Sequence, residues 1–272
     1  MFGRKNNIMT EPIPERVFEL CKIVSKGDIP DNVAKERMEP SGLNKSVTYY
    51  YPSIREVCVQ ELKLIEKNND ILKYVGDKGI LKSLDSFRKF CNSTVLKDSE
   101  TAFYKIVQCF LESDDSWLKY KTLTDVNIRR EVQEKTKIAS VEERMMLGTR
   151  FWISFLGFGY IQEAQGMYFL PNMHIALQDY CEFAKIEKNK EYSIKEFIDE
   201  IYKYGSVALQ RAVEKKEFNA AMSNALRQMH DRNEIVLKKN LDSKEKWKLF
   251  YDNTHEFTDE VTHIVFKGVK RG

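Results

Sequence analysis

Glycine and proline are scarce in this 272-residue chain, at 12 and 6 residues. Long stretches therefore run without turn punctuation. That excludes collagen-like and low-complexity classes and favours helix over a turn-rich β-sandwich. Cysteine is scarce too. Cys21, Cys58, Cys91, Cys109 and Cys181 are odd in number and no two stand in C-x-x-C spacing, which predicts buried thiols rather than disulfides or zinc ligands. A long apolar run is also missing. The longest uncharged stretch around the aromatics, Phe151 to Gln162, falls well short of the roughly 20 residues a bilayer requires. The opening Met1-Phe2-Gly3-Arg4-Lys5-Asn6-Asn7 lacks the apolar core of a signal peptide, so the expectation is a cytoplasmic protein without membrane contact.

An excess of one charge is likewise absent. The formal net charge is +3, and it is spread unevenly. Residues 1–97 carry 17 Lys and Arg against 13 Asp and Glu, residues 98–190 carry 12 against 14, and residues 191–272 carry 15 against 14. A protein that held nucleic acid by charge alone would be far more basic, so any DNA contact must come from local patches. What the chain does have is 42% hydrophobic residues, enough for a sizeable core, and a length that predicts about two domains at about 150 residues each.

Catalytic motifs are missing as well. No G-x-x-x-x-G-K-[ST], G-x-G-x-x-G or G-x-S-x-G occurs. His174, His230, His255 and His263 have no partner at metal-ligand spacing, and His255-Glu256-Phe257-Thr258-Asp259 departs from H-E-x-x-H after its second residue. His230, on the core side of a helix and before Asp231, reads as a capping or packing residue. The expectation is a protein that is not an enzyme, with no catalytic residue, no metal and no cofactor.

Periodicity organises the chain. Residues 1–13 read as a loose, flexible tail. Pro14-Glu15 opens a helix with Val17, Phe18, Leu20, Cys21 and Val24 on one face. A second helix spans Asp31 to Met38, and a third carries Ile54, Val57, Cys58 and Leu62. The runs Leu64-Ile65-Glu66-Lys67 and Ile71-Leu72-Lys73-Tyr74-Val75 flank an Asn/Asp turn and read as a hairpin. Three helices and a hairpin in this order predict a winged helix-turn-helix over 14–80.

The pattern returns twice. In a helical middle region, 81–190, Ser140-Val141-Glu142-Glu143 reads as a capping box with Ser140 at the N-cap, opening a helix that carries Met145, Met146, Leu147, Phe151, Trp152, Phe155 and Leu156. A hairpin follows, Tyr160 to Gln162 and Met167 to Leu170. The helix itself reads as core or as an inter-domain or subunit interface. In the last segment, 191–272, a helix runs from Ile194 to Tyr204, broken at Gly205, and Phe218, Met222, Leu226 and Met229 form a stripe. Strands at Glu234 to Lys239 and Lys246 to Tyr251 follow and read as a hairpin, with a last strand at Val261 to Phe266 expected to pair with it. The predicted fold class is mainly α with small β-hairpins, built from two or three winged helix-turn-helix units joined by helices.

In a winged helix the third helix enters the major groove and the wing meets phosphates or the minor groove. In the first unit that helix presents Arg55, Glu56, Gln60, Glu61 and Lys63, where the two acids repel phosphate. Lys45, Ser46, Thr48 and Tyr49 precede it. In the last unit Asn219, Ser223, Asn224, Arg227 and Gln228 lie opposite the apolar stripe, free of acids and of the types that read base edges. Arg232, Lys238, Lys239, Lys244, Lys246 and Lys248 add charge suited to phosphate. The candidate DNA contacts are therefore Arg55, Lys63, Asn224, Arg227, Arg232, Lys238, Lys239, Lys244 and Lys246.

One stretch carries a family resemblance. Phe151-Trp152-Ile153-Ser154-Phe155-Leu156-Gly157-Phe158-Gly159, then Gly166-Met167-Tyr168-Phe169-Leu170-Pro171-Asn172 and a helix from Met173, resembles DpdG of bacterial gene clusters for deazaguanine DNA modification and restriction. The opening after Pro14-Glu15-Arg16 is similar to that family's as well. The resemblance carries over no functional residue. It implies a context: an accessory subunit of an anti-phage defence or DNA-modification complex, beside an ATPase, helicase or nuclease.

These readings lead to a non-catalytic accessory subunit that contacts or positions double-stranded DNA within a multi-protein complex. The alternatives are an adaptor that docks on a protein partner without touching DNA, and a transcription regulator. The large middle segment and the lack of an obvious dimerisation helix weigh against the regulator.

Overall fold

The structure, a computed structural model, describes residues 1–43, 49–120, 122–163, 166–243 and 245–270. The candidate contacts Lys45, Ser46, Thr48 and Lys244 lie outside the described residues. Along the chain run α1 (Pro14–Ser25), β1 (Ile29–Pro30), α2 (Asp31–Met38) and α3 (Tyr51–Glu56), the last continued by a π-helical turn (Val57–Glu61). Next come β2 (Ile65–Asn68), β3 (Ile71–Tyr74), α4 (Leu84–Thr94), α5 (Ala102–Glu112), α6 (Val126–Thr136), α7 (Glu143–Phe155), β4 (Gly159–Glu163) and β5 (Met167–Pro171). The last third contains α8 (His174–Ala184), β6 (Glu191–Ser193), α9 (Ile194–Lys215) and α10 (Ala220–Asp231), then β7 (Ile235–Lys238), β8 (Trp247–Lys248), β9 (Glu260–Val261) and β10 (His263–Phe266). The chain is mainly helical with small antiparallel sheets. It divides into two compact units, 1–106 with 129–155 and 107–128 with 156–272.

In the first unit α1 buries Val17, Leu20, Cys21 and Val24, the face its spacing predicts. The Phe18 ring lies 5.4 Å from that of Phe87 on α4, which lies 5.9 Å from Phe155 on α7. β2 and β3 pair with Ile65 opposite Tyr74, and β1 adds Ile29 opposite Leu72, giving the strand order β1-β3-β2. Asn69 and Asp70 make the turn at φ 47° and 65°, a left-handed geometry that Asn and Asp tolerate.

The opening segment is not a loose tail. Met1, Phe2 and Ile8 are buried, and the Phe2 ring sits 5.1 Å from Phe103 and 4.6 Å from Trp152. Trp152 donates its indole N–H to Pro12 O at 2.7 Å. The backbone runs so close to α7 that a Cβ on Gly148 would stand 2.5 Å from Met9 O. The apolar side chains of the first dozen residues fill space between α5 and α7, so burial rather than terminal position decides their order. The helix after Ser140 also starts later than the capping-box reading has it. α7 begins at Glu143, and Glu142 O receives Met145 N at 3.0 Å.

In the second unit α8, α9 and α10 pack beside a sheet of order β6-β10-β7, all antiparallel. With the separate β8–β9 pair left out, the succession helix, strand, helix, helix, strand, strand and the order of the three-stranded sheet repeat those of α1 to β3. The partner of β7 is β10, with Leu237 opposite Ile264, whereas Trp247-Lys248 pairs with Glu260-Val261. The expected pairing of 234–239 with 246–251 is thereby corrected. Adjacent in sequence, those segments are separated by the demand of β7 for a longer apolar partner, which His263–Phe266 supplies. Gly205 is non-helical (φ −124°, ψ 25°), the break its sequence position predicts, and two helical stretches of α9 meet there at a kink. A Cβ there would stand 2.6 Å from the Tyr180 ring, so glycine permits the close approach of α8.

Ser193 caps α9 in a reciprocal capping box with Glu196. Ser193→Ala should lower the stability of the chain by about 1 kcal/mol, read from its urea midpoint. An unchanged midpoint would show the cap to be dispensable. All five cysteines are buried and free of disulfides, as their helical positions predict.

Candidate nucleic-acid interface

α10 holds the place of the third helix in the C-terminal unit, and Asn219 caps it by accepting from Met222 N at 2.8 Å. Its stripe of Met222, Leu226 and Met229 is buried as expected. The opposite face, read from the sequence as solvent-facing, is buried too: Asn219 is 2% exposed, Ser223 0% and Arg227 4%. Asn219 is turned to α9, where it donates to Ala208 O at 3.0 Å, and the segment 249–259 lies across Ser223 and Arg227. Arg227 donates to the carbonyls of Phe257 (2.9 Å), Phe250 (2.7 Å) and Thr258 (2.8 Å). Ser223 Oγ accepts from Phe250 N at 2.8 Å. His230 Nε2 pairs with Glu256 at 2.7 Å, and His255 Nε2 with Asp231 at 3.1 Å. The His230 and Phe257 rings meet edge to face at 5.1 Å. Arg227 is thus a buried structural tie to this segment. Asn224 donates to Pro171 O at 2.9 Å and Gln228 accepts from Asn172 at 2.8 Å, so both remaining readers are also engaged.

The cations of the C-terminal hairpin are paired in the same way. Lys238 contacts Glu191, and Lys239 lies between Asp259 (3.3 Å) and Glu260 (3.2 Å). These two lysines therefore face three carboxylates. Hydrogen bonding to Glu260 holds the Lys239 ammonium above its ordinary range. Lys248 pairs with Glu217 at 2.9 Å. Arg232 reaches Glu234 at 3.0 Å and Lys270 O at 3.1 Å. Lys246 is exposed.

In the first unit Arg55 pairs with Asp31, which also accepts from Tyr51 and from Lys67 at 2.7 Å. Burial raises the Asp31 carboxyl's affinity for its proton, but these donors outweigh it and hold the group below the usual carboxylate range. Glu56 takes Arg4 at 2.6 Å, and Glu61 accepts from the Met1 ammonium and from Phe2 N at 2.6 Å. The acids read as repelling phosphate are instead matched by the opening residues, which lie against the helix assigned to the groove. Lys63 is exposed at φ 53°.

A buried polar cluster escapes sequence reasoning altogether. Glu234, 0% exposed, receives His174 Nε2 at 2.9 Å, Gln178 Nε2 at 3.0 Å and Arg232 Nε at 3.0 Å. Its main-chain carbonyl accepts from Lys267 N at 2.7 Å. Burial pushes its carboxyl up, yet the three donors bring the group below the ordinary glutamate range. His174 and Gln178 stand one turn apart on α8, a spacing visible in the sequence. Their acceptor lies 56 or more residues away.

No family model, no curated protein and no solved structure matches this chain. Among the described residues, no helix is long and apolar enough to cross a membrane. The arrangement is suited to packing and contact: its polar groups are tied to one another.

Proposed function

We propose that this chain is a non-catalytic protein of winged-helix units that acts as an adaptor, docking onto a protein partner rather than reading DNA through its C-terminal unit. The winged-helix assignment is supported by the shared strand order of the two three-stranded sheets, and by an element order that the two units share once the β8–β9 pair inserted between β7 and β10 is set aside. The observation that carries the functional choice is the segment 249–259 over α10. It occupies the face a recognition helix needs for the major groove. The resemblance to DpdG supplies the setting, an accessory subunit of a bacterial defence or DNA-modification complex with an ATPase, helicase or nuclease as partner.

Direct DNA contact is the second reading. Lys63 and Lys246 favour it, because both are exposed and neither has a carboxylate partner among the described residues. The two readings separate in one titration. Anisotropy of a labelled duplex about three helical turns long, followed at two salt concentrations, should show no salt-dependent binding. Replacing Lys238 and Lys239 with Glu should change nothing. Micromolar binding that weakens steeply with salt and is lost in that double variant would overturn the adaptor reading.

A further inference from the structure

We propose that an open groove in the first unit, with a volume of about 360 Å³, binds a nucleotide. Its size falls within the roughly 300–1,000 Å³ of small-molecule sites. Ile13 and Leu147 give it an apolar floor, and Tyr50 and Phe151 give it two aromatic rings. Each ring carries a guanidinium: that of Arg16 lies 4.9 Å from the Tyr50 centroid, and that of Arg150 4.5 Å from the Phe151 centroid. A guanidinium stacked on a ring keeps its N–H edge directed outward, in the fork geometry that matches a phosphate.

Arg16 uses one N–H on Glu11 O at 3.3 Å and has no carboxylate within ion-pair distance among the described residues. Arg55, Arg232, Lys238 and Lys239 each meet an acid, whereas Arg16 lines an open groove with a main-chain carbonyl as its hydrogen-bond partner, which leaves donors for an external anion. A bare anion does not explain the rest of the lining. The rings and apolar floor suit the face of a base, worth about 1–3 kcal/mol per stacked base. Glu11 also lines the groove, and an acceptor there suits a ligand that carries N–H donors, as the amino-bearing bases do. Phosphate and base in one molecule satisfy all of these groups. That chemistry is offered both by a free mononucleotide and by the phosphorylated end of a strand.

The test is calorimetric titration of the full chain with AMP, GMP, adenosine, inorganic phosphate and a terminally phosphorylated oligonucleotide. The expected result is binding of a mononucleotide or of the oligonucleotide, with adenosine and phosphate each weaker. Arg16→Gln and Tyr50→Ala should each weaken it tenfold or more, and Tyr50→Phe should keep it. Tighter binding of the mononucleotide marks a free ligand, and tighter binding of the oligonucleotide marks a strand terminus. Both replaced side chains are at least partly exposed, and a thermal melt identical to the parent's verifies folding. Should Arg16→Gln fail that control, Tyr50→Ala decides alone. Absence of binding by every nucleotide, or affinity unchanged in the folded variants, would overturn the proposal.

Discussion

Replacing Glu234 with Ala is expected to cost about 3–5 kcal/mol of stability, because it leaves a buried histidine, a glutamine and an arginine without their common acceptor. Urea unfolding of the full chain reads this directly, and the loss should follow the second unit. Glu234→Gln keeps the shape but sets an amide N–H₂ against donors, so it should also destabilise, by less. A cycle with His174→Ala separates the pair from the cluster, since neighbours in one network are non-additive. A midpoint within experimental scatter of the parent's would mean that the cluster relaxes without cost.

The same residue fixes the direction of a pH dependence. The Glu234 carboxyl is held below the ordinary glutamate value, against its own burial, by the donors of Gln178, His174 and Arg232. A group whose pKa falls on folding contributes its full stabilisation above the unfolded value, about 4.3 for Glu. That contribution is lost as pH falls through the folded pKa. Asp31 acts in the same direction through Lys67, Tyr51 and Arg55. Stability should therefore drop on the acid side of about pH 4, and the drop should be shallower in Glu234→Gln. An acid limb identical in the two proteins would remove Glu234 from the explanation.

The second large effect belongs to Arg227. Its guanidinium binds three main-chain carbonyls of the segment that crosses α10. Arg227→Ala removes a buried stem and leaves those carbonyls unmatched, at about 1–3 kcal/mol for each that water cannot reach. A loss of about 3 kcal/mol or more follows. Arg227→Lys should not rescue it, because a single ammonium cannot span the three oxygens that the planar fork reaches. Proteolysis gives an independent reading: cleavage within 249–259 should become faster in Arg227→Ala than in the parent. If the variant were as stable as the parent and no more easily cleaved, the segment would be held by other contacts.

The Arg227 effect arises where a residue expected at the surface is internal. The sequence marked Arg227 as a groove reader because it sits opposite the Met222/Leu226 stripe. That inference is sound for a helix with one buried side and fails for a helix buried on two. A hint was present in the composition of 249–259, where Leu249, Phe250, His255 and Phe257 make the stretch too apolar for a solvated loop. The same holds for the opening segment, whose Met1, Phe2, Ile8 and Met9 are an unusual set for a tail left in water.

Local pattern determined α1, α2, the stripe of α10 and the hairpins β2–β3 and β4–β5, because 3.6-residue and two-residue periods and the Asn69-Asp70 turn act over a few neighbouring residues. It also determined the mainly helical class and the burial of the cysteines. Tertiary structure alone decided that Trp247-Lys248 pairs with Glu260-Val261 and not with β7, and that residues 1–13 fold back on α5 and α7. It alone decided which charges meet. Lys238 and Glu191, Arg55 and Asp31, and His174 and Glu234 are each separated by more than twenty residues. Ion pairing depends on distance in space, and a sequence records charge without that distance.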